Sequence, residues 1–284
     1  MNSDMDWLYW QKGGWTTEET PLISLKDNTF WMGNAVFDGA RAFDNCIPDL
    51  DLHCQRALTS ATRMLLKPDI ALDRLIELCR EGVGRFPKGA ELYIRPMFFP
   101  RGGFFLPDPE TTECAIAIHR LPLPGDEGFS ACLSPFRRPF ADMAPTDAKA
   151  ACLYPNLQRA IAYANGRGFD NAVVYKTDGS IAELATANLM IVKGGKISTA
   201  SADGTFLAGI TRARVMQLCE AEGNPVAEVT LSEKELMDAD EVFSTGNYGK
   251  IVAVNKIEDK VYGVGPVTTH LRELYWDFAK TCPL

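Results

Sequence analysis

Strand-like runs and amphipathic helical stretches alternate along the chain without settling into a βαβαβ series, and this pattern restricts the fold more than any other feature. Leu58, Ala61, Met64 and Leu65 fall at helical spacing and predict a helix over 52–66. Leu72, Leu75, Ile76 and Leu78 predict a second over 70–86. Segments 91–99 and 113–120 read as strands around a Gly- and Pro-rich loop, 101–110, that exposes Phe104 and Phe105. Stretch 121–128 combines two prolines, two glycines and two acids, as a linker does. Beyond it, strands at 171–175, 188–192, 197–200, 241–244 and 251–254 alternate with helices at 157–167, 211–222, 232–237 and 268–280. The expected architecture is α/β (α+β) with sequential hairpins: an N-terminal domain over 1–120, a linker at 121–129 and a larger C-terminal domain over 130–284. A ligand site is expected between the lobes.

With 284 residues, 46% of them hydrophobic, the chain can bury a core without disulfides. Lys and Arg total 29 against 37 Asp and Glu, a net charge of −8, which argues against nucleic acid or an anionic membrane as partner. No apolar run approaches the roughly 18–20 residues of a membrane span, and Met1–Trp10 lacks the charge and apolar core of a signal peptide. Cys46, Cys54, Cys79, Cys114, Cys132, Cys152, Cys219 and Cys282 are scattered, which suggests reduced thiols in a cytoplasm and no metal site. The histidines, His53, His119 and His270, are too few to suggest histidine-based catalysis.

Lys149 stands out among the lysines because it lies in Ala148-Lys149-Ala150-Ala151-Cys152-Leu153-Tyr154. Desolvation there favours a neutral amine, the nucleophile that condenses with an aldehyde; a lysine snorkelling from a strand end is the other reading. Glu183 and Asn188 interrupt the apolar run 180–192. A carboxylate so placed needs a partner, such as a protonated heterocyclic nitrogen, unless the strand is an ordinary edge. Gly209-Ile210-Thr211-Arg212 opens a helix, whose free N–H groups suit an anion. Ser244-Thr245-Gly246-Asn247 is either an anion nest or a tight turn. Phe37-Asp38-Gly39-Ala40-Arg41 reads as an Asp-Gly turn into a strand. Tyr93 and Arg95 share a strand face, where Arg95 could clamp a carboxylate. Arg56 suits a phosphate, and His53, one helical turn earlier, packs or caps.

In this order and spacing, the residues resemble the class IV, or fold-type IV, pyridoxal-phosphate aminotransferases over about residues 20–260, most closely the branched-chain amino acid aminotransferases. The resemblance implies the two-lobed fold of the D-amino acid aminotransferases, a homodimer, and pyridoxal 5'-phosphate as cofactor. It implies that Lys149 forms the internal aldimine and shuttles the proton, with Glu183 facing the pyridine nitrogen and Tyr154 the phenolic oxygen. Arg56, Ile210, Thr211 and Asn247 are implied to hold the phosphate, and Asn188, Leu207, Gly209 and Gly246 to complete the cofactor site. Phe37, Gly39, Arg41, Tyr93, Arg95 and Tyr248 match substrate positions.

The implied reaction moves the amino group of an L-amino acid such as Leu, Ile or Val to 2-oxoglutarate. Small-molecule amino acids and 2-oxo acids are then its partners. Departures from the branched-chain subgroup include Met32 beside Trp31, Asn247-Tyr248 in the phosphate turn, and Pro155-Asn156 after Tyr154. They keep open a D-amino acid or (R)-amine transaminase, or an aminodeoxychorismate-type lyase, on the same fold. A non-catalytic cofactor-binding protein is the remaining reading, and the joint presence of Lys149, Glu183 and Tyr93 argues against it.

Overall fold

A computed structural model describes residues 5–284, so part of the N-terminal stretch read above, residues 1–4, lies outside the described residues. The chain divides into two compact units. The first runs to Pro122 and adds Ala148–Cys152 and Phe278–Leu284; the second takes Leu123–Asp147 and Leu153–Asp277. The sequence reading puts both added stretches in the C-terminal domain. Backbone hydrogen bonds explain the difference: Phe37 N–H donates to the Lys149 carbonyl (3.2 Å), Ile47 N–H to the Cys282 carbonyl (2.9 Å) and Leu284 N–H to the Asn45 carbonyl (2.9 Å).

In the first unit, strands β1 (Trp7–Gln11) and β2 (Gly14–Thr16) precede a short helix α1 (Asn28–Met32) and strands β3 (Val36–Phe37) and β4 (Ala40–Ala42). Helices α2 (Leu50–Arg63) and α3 (Leu72–Val83) lead to β5 (Leu92–Pro100) and β6 (Thr112–Arg120). The sheet runs β2-β1-β6-β5-β3, with β4 also on β5. β3 and β4 share one register, since Val36 lies opposite Phe98 and Ala40 opposite Ile94. The gap between them falls opposite Pro96, which has no N–H to donate. Asp38-Gly39 therefore links β3 to β4 along one register instead of forming the expected turn; Asp38 N–H still donates to the Pro96 carbonyl at 3.0 Å, and Gly39 has no positive φ.

One face of this sheet supplies Val36, Ala40, Leu92, Ile94, Phe98, Ile116 and Ile118 to a core closed by both helices. α2 meets it through Leu50, Cys54, Ala57 and Ala61, mostly small residues that let a helix approach closely. The helix starts two residues before the expected 52 and stops at Arg63. Leu65, expected on the packed face, follows the helix end with φ 62° and is 59% exposed. Phe104 and Phe105 are exposed, as expected.

The second unit contains β7 (Phe129–Arg137), α4 (Tyr154–Gly166), β8 (Asn171–Tyr175), β9 (Ile181–Leu184), β10 (Asn188–Lys193) and β11 (Lys196–Ala200). There follow α5 (Ile210–Ala221), β12 (Ala227–Val229), α6 (Glu233–Asp238), β13 (Glu241–Gly246), β14 (Lys250–Ile257), β15 (Lys260–Val261) and α7 (Pro266–Lys280). The sheet order is β12-β11-β10-β13-β14-β7-β8-β9, with β15 on β14. The expected hairpins exist at β8–β9, β10–β11 and β13–β14, but β14–β7, β7–β8 and β11–β12 pair in parallel. α4 begins three residues before the expected 157 because Pro155 fits a first helical turn, where no N–H is needed. Among the described residues no helix is long and apolar enough to cross a membrane.

Candidate active site

Each unit carries part of the predicted site. In the first unit, Arg41 pairs across the sheet with Tyr93, Tyr93 with His119, and His119 with Trp7. Partners directly opposite point to the same face. Gly39 lies opposite Arg95 by the same register, so Phe37, Gly39, Arg41, Tyr93 and Arg95 share the sheet face turned away from α2 and α3. Tyr248, the sixth predicted substrate residue, is in the second unit and 57% exposed. The Arg95 guanidinium lies 5.3 Å from the Tyr93 ring centre, and Arg41 is fully buried with one Nη donating to the Leu121 carbonyl. His119 stacks on Trp7 at 4.0 Å. Burial pushes its pKa down, the Arg120 carbonyl opposes this, and the charges of Arg95 and Arg41 push it further down.

Asp38 points to the helix side of the same strand. Its carboxylate accepts from Arg56 Nε at 2.6 Å and Arg56 Nη2 at 2.9 Å, and His53 Nδ1 lies 2.7 Å away. Burial alone would raise the Asp38 pKa, but the Arg56 charge and the His53 hydrogen bond more than offset it and hold the carboxyl well below the usual range. An ionised carboxylate only accepts, so His53 Nδ1 carries the proton. Asp38 uses one edge of the guanidinium and leaves Arg56 Nη1 for a further acceptor. Asp38 thus orients Arg56, the residue for which the sequence suggests a phosphate.

Lys149 sits beside β3. Val36 and Ala150 form an isolated antiparallel bridge, Ala151 N–H donates to the Ala35 carbonyl at 2.8 Å, and Lys149 N–H donates to Ser60 Oγ of α2 at 3.0 Å. Lys149 is half-buried between the buried Ala148 and Ala150. Its Nζ lies 5.1 Å from the centre of the Phe37 ring. The backbone is thus fixed on both sides while the residue as a whole stays half-buried.

In the second unit, Glu183 lies on β9 and is 8% exposed. Asn188 Nδ2 donates to its Oε2 at 3.0 Å and to the Leu207 carbonyl at 3.3 Å, and Arg138 Nε lies 3.4 Å from its Oε1. Asn188, first in β10, stands opposite Thr245 of β13. Gly209 lets the chain pass close to Asn188, since a Cβ there would come within 2.1 Å of Asn188 Oδ1 and displace that side chain. It caps α5 with backbone only, so the first N–H groups of that helix, from Ile210 and Thr211, have no side-chain cap. α5 packs against β13, whose end carries Thr245, Gly246 and then Asn247. Thr245 Oγ1 and Asn247 Nδ2 are buried without a hydrogen-bond partner. Tyr154, the first residue of α4, is half-buried.

Uncapped helix N–H groups, two orphaned polar atoms and a glycine too confined for a side chain fit a phosphate monoester. A buried carboxylate held by an amide and a guanidinium fits a protonated ring nitrogen. The donor set of this unit therefore matches pyridoxal phosphate.

A family model described as amino-transferase class IV matches residues 35–257. The chain belongs to the class IV aminotransferases. It is 31% identical over 96% of its length to the probable branched-chain-amino-acid aminotransferase of Aquifex aeolicus, covering 92% of that protein. Its structure superposes on an aminotransferase from Brucella abortus bound to the cofactor PLP with a TM-score of 0.95 and 38% identity, over 97% of this chain and 99% of the other. A branched-chain aminotransferase from Thermoproteus uzoniensis, solved with norvaline, gives a TM-score of 0.88 and 28% identity, over 96% and 94%.

Sequence reasoning alone missed three groups of this aminotransferase. Arg138 approaches Glu183 from the end of β7, 45 residues earlier, and no local signal marks it. Asp38 carries only a turn signal in the sequence. Lys250 is 1% exposed at the start of β14, and the lysine before the apolar run Ile251-Val252-Ala253-Val254 could have marked it in the sequence.

Proposed function

We propose that this pyridoxal-phosphate-dependent aminotransferase moves the amino group of a branched-chain L-amino acid (Leu, Ile or Val) to 2-oxoglutarate, with Lys149 as its catalytic residue. Two observations carry the reading: in the first unit a half-buried lysine whose backbone is held by Ser60, and in the second a buried carboxylate, Glu183, held by Asn188 and Arg138. The bound cofactor supplies an electron sink for the charge left when the Cα proton departs. Lys149 Nζ would hold the cofactor at its aldehyde carbon and, once freed by the incoming amine, would act as the base that takes the Cα proton and returns it as an acid. Glu183 keeps a proton on the ring nitrogen. Arg56, the N–H groups of Ile210 and Thr211, Gly246 and Asn247 hold the phosphate. Tyr154 faces the phenolic oxygen, and Asn188, Leu207 and Gly209 keep Glu183 and the helix start in place.

For the substrate, Tyr93, Arg41 and Tyr248 hold the α-carboxylate, with Gly39 leaving room for it. Phe37 walls the apolar side-chain pocket, and Arg95 meets the acidic side chain of glutamate. The shared sheet face of Phe37, Gly39, Arg41, Tyr93 and Arg95 supports this assignment. So do the branched-chain names of the Aquifex and Thermoproteus relatives. A homodimer is part of the proposal; the exposed apolar side chains Phe30, Trp31, Phe104, Phe105 and Leu106 support a contact with a second copy. Eight free cysteines support a cytoplasmic setting. Steady-state assays with 2-oxoglutarate test the substrate reading. L-Leucine, L-isoleucine and L-valine should each yield glutamate; glutamate from D-alanine or an (R)-aryl amine alone would transfer the enzyme to that subgroup.

A further inference from the structure

Lys250 is the most deeply buried lysine of the second unit, at 1% exposure, and its backbone has a positive φ of 61°. Its Nζ donates to Asn247 Oδ1 at 2.7 Å and lies 5.9 Å from the centre of the Tyr275 ring. An ammonium has donors only, so the amide oxygen of Asn247 must face it and Nδ2 must point elsewhere. That Nδ2 is buried with no hydrogen-bond partner, as is Thr245 Oγ1 two residues earlier. Two buried polar atoms without a protein partner, one of them on an amide bonded to a buried cation, suit an anion.

We propose that Lys250 is a positioning residue that locks the Asn247 side chain as a hydrogen-bond donor, so that Asn247 Nδ2 and Thr245 Oγ1 together grip the cofactor's phosphate. This rests on the phosphate reading of the turn. The Lys250 charge also acts through the Asn247 amide, polarising its N–H groups.

Titrating the apoenzyme with pyridoxal 5'-phosphate and, separately, with pyridoxal tests the idea without any turnover. The parent should prefer the phosphorylated form strongly. Lys250→Met should cut that preference about tenfold while leaving pyridoxal affinity unchanged. Asn247→Asp, which keeps the bond to Lys250 but removes the donor, should cut it at least as much, and Lys250→Arg should retain most of it. If Lys250→Met does not fold, Asn247→Asp and Lys250→Arg carry the test. An unchanged ratio, or equal losses for both ligands, would show that Lys250 only supports the turn. A parent with no preference for the phosphorylated form would remove the phosphate cradle itself, and this inference with it.

Discussion

Replacing Asp38 by alanine should destabilise the first unit by about 3 kcal/mol. The Asp38 side chain is fully buried, and it pairs with an Arg56 side chain that is 17% exposed. Removing one member of a buried pair typically costs about 3–5 kcal/mol because the other charge is left desolvated. Arg56 keeps some access to water, which sets the expectation at the lower end. Adding Arg56→Met to Asp38→Ala should recover part of the loss by removing the stranded guanidinium. Urea unfolding of the apoenzyme, followed by tryptophan fluorescence, measures this, since four of the five tryptophans (Trp7, Trp10, Trp15 and Trp31) lie in this unit. The pH dependence has a definite sign. Asp38 titrates below the ordinary carboxylate range when folded. Its contribution is therefore complete above the unfolded value of about 4 and is lost as pH falls through the lower folded value. The gap between parent and variant should hold steady from about pH 5 to 7, begin to shrink below about pH 4, and close only as pH falls through the lower folded value. A loss under about 1 kcal/mol, or a gap that does not shrink at all below about pH 4, would refute the buried-pair argument.

Glu183→Gln should slow Cα proton removal roughly 10- to 100-fold, read from the half-reaction with Cα-deuterated leucine; an unchanged rate would take Glu183 away from the ring nitrogen. Arg95→Ala should lower kcat/KM for glutamate at least about tenfold more than for leucine, and equal losses would confine Arg95 to the shared carboxylate. Gly209→Ala puts a methyl carbon 2.1 Å from the present position of Asn188 Oδ1, so Asn188 must release Glu183 or the Leu207 carbonyl. Cofactor affinity measured by equilibrium titration should fall; full affinity would show that the loop before α5 yields freely.

Elements with a strong local period were legible. β5, β6, β8, β10 and β11 lie within a residue or two of their expected bounds because their alternation or apolar runs are unbroken. What depended on distant partners was not. Asp38-Gly39 carries a turn signal, yet it stays in register along β5 between β3 and β4, and the residue opposite Asp38, Pro96, is 58 positions away in the sequence (96 − 38). Parallel pairing of β7 with both β14 and β8 leaves no mark on the sequence of β7. The site followed the same rule. Glu183 and Asn188, five residues apart, could be read together, whereas Arg138 and the Arg56–Asp38 pair could be found only once the chain was folded.

A half-reaction on the purified holoenzyme tests the central claim most directly. The enzyme is mixed with L-leucine, without any 2-oxo acid, while the visible band of the bound cofactor is followed; L-glutamate and D-alanine are run in parallel. The band should bleach with L-leucine and L-glutamate and persist with D-alanine, and Lys149→Ala should give no such conversion. Bleaching by D-alanine alone, or conversion by the Lys149→Ala enzyme at the parent's rate, would contradict it.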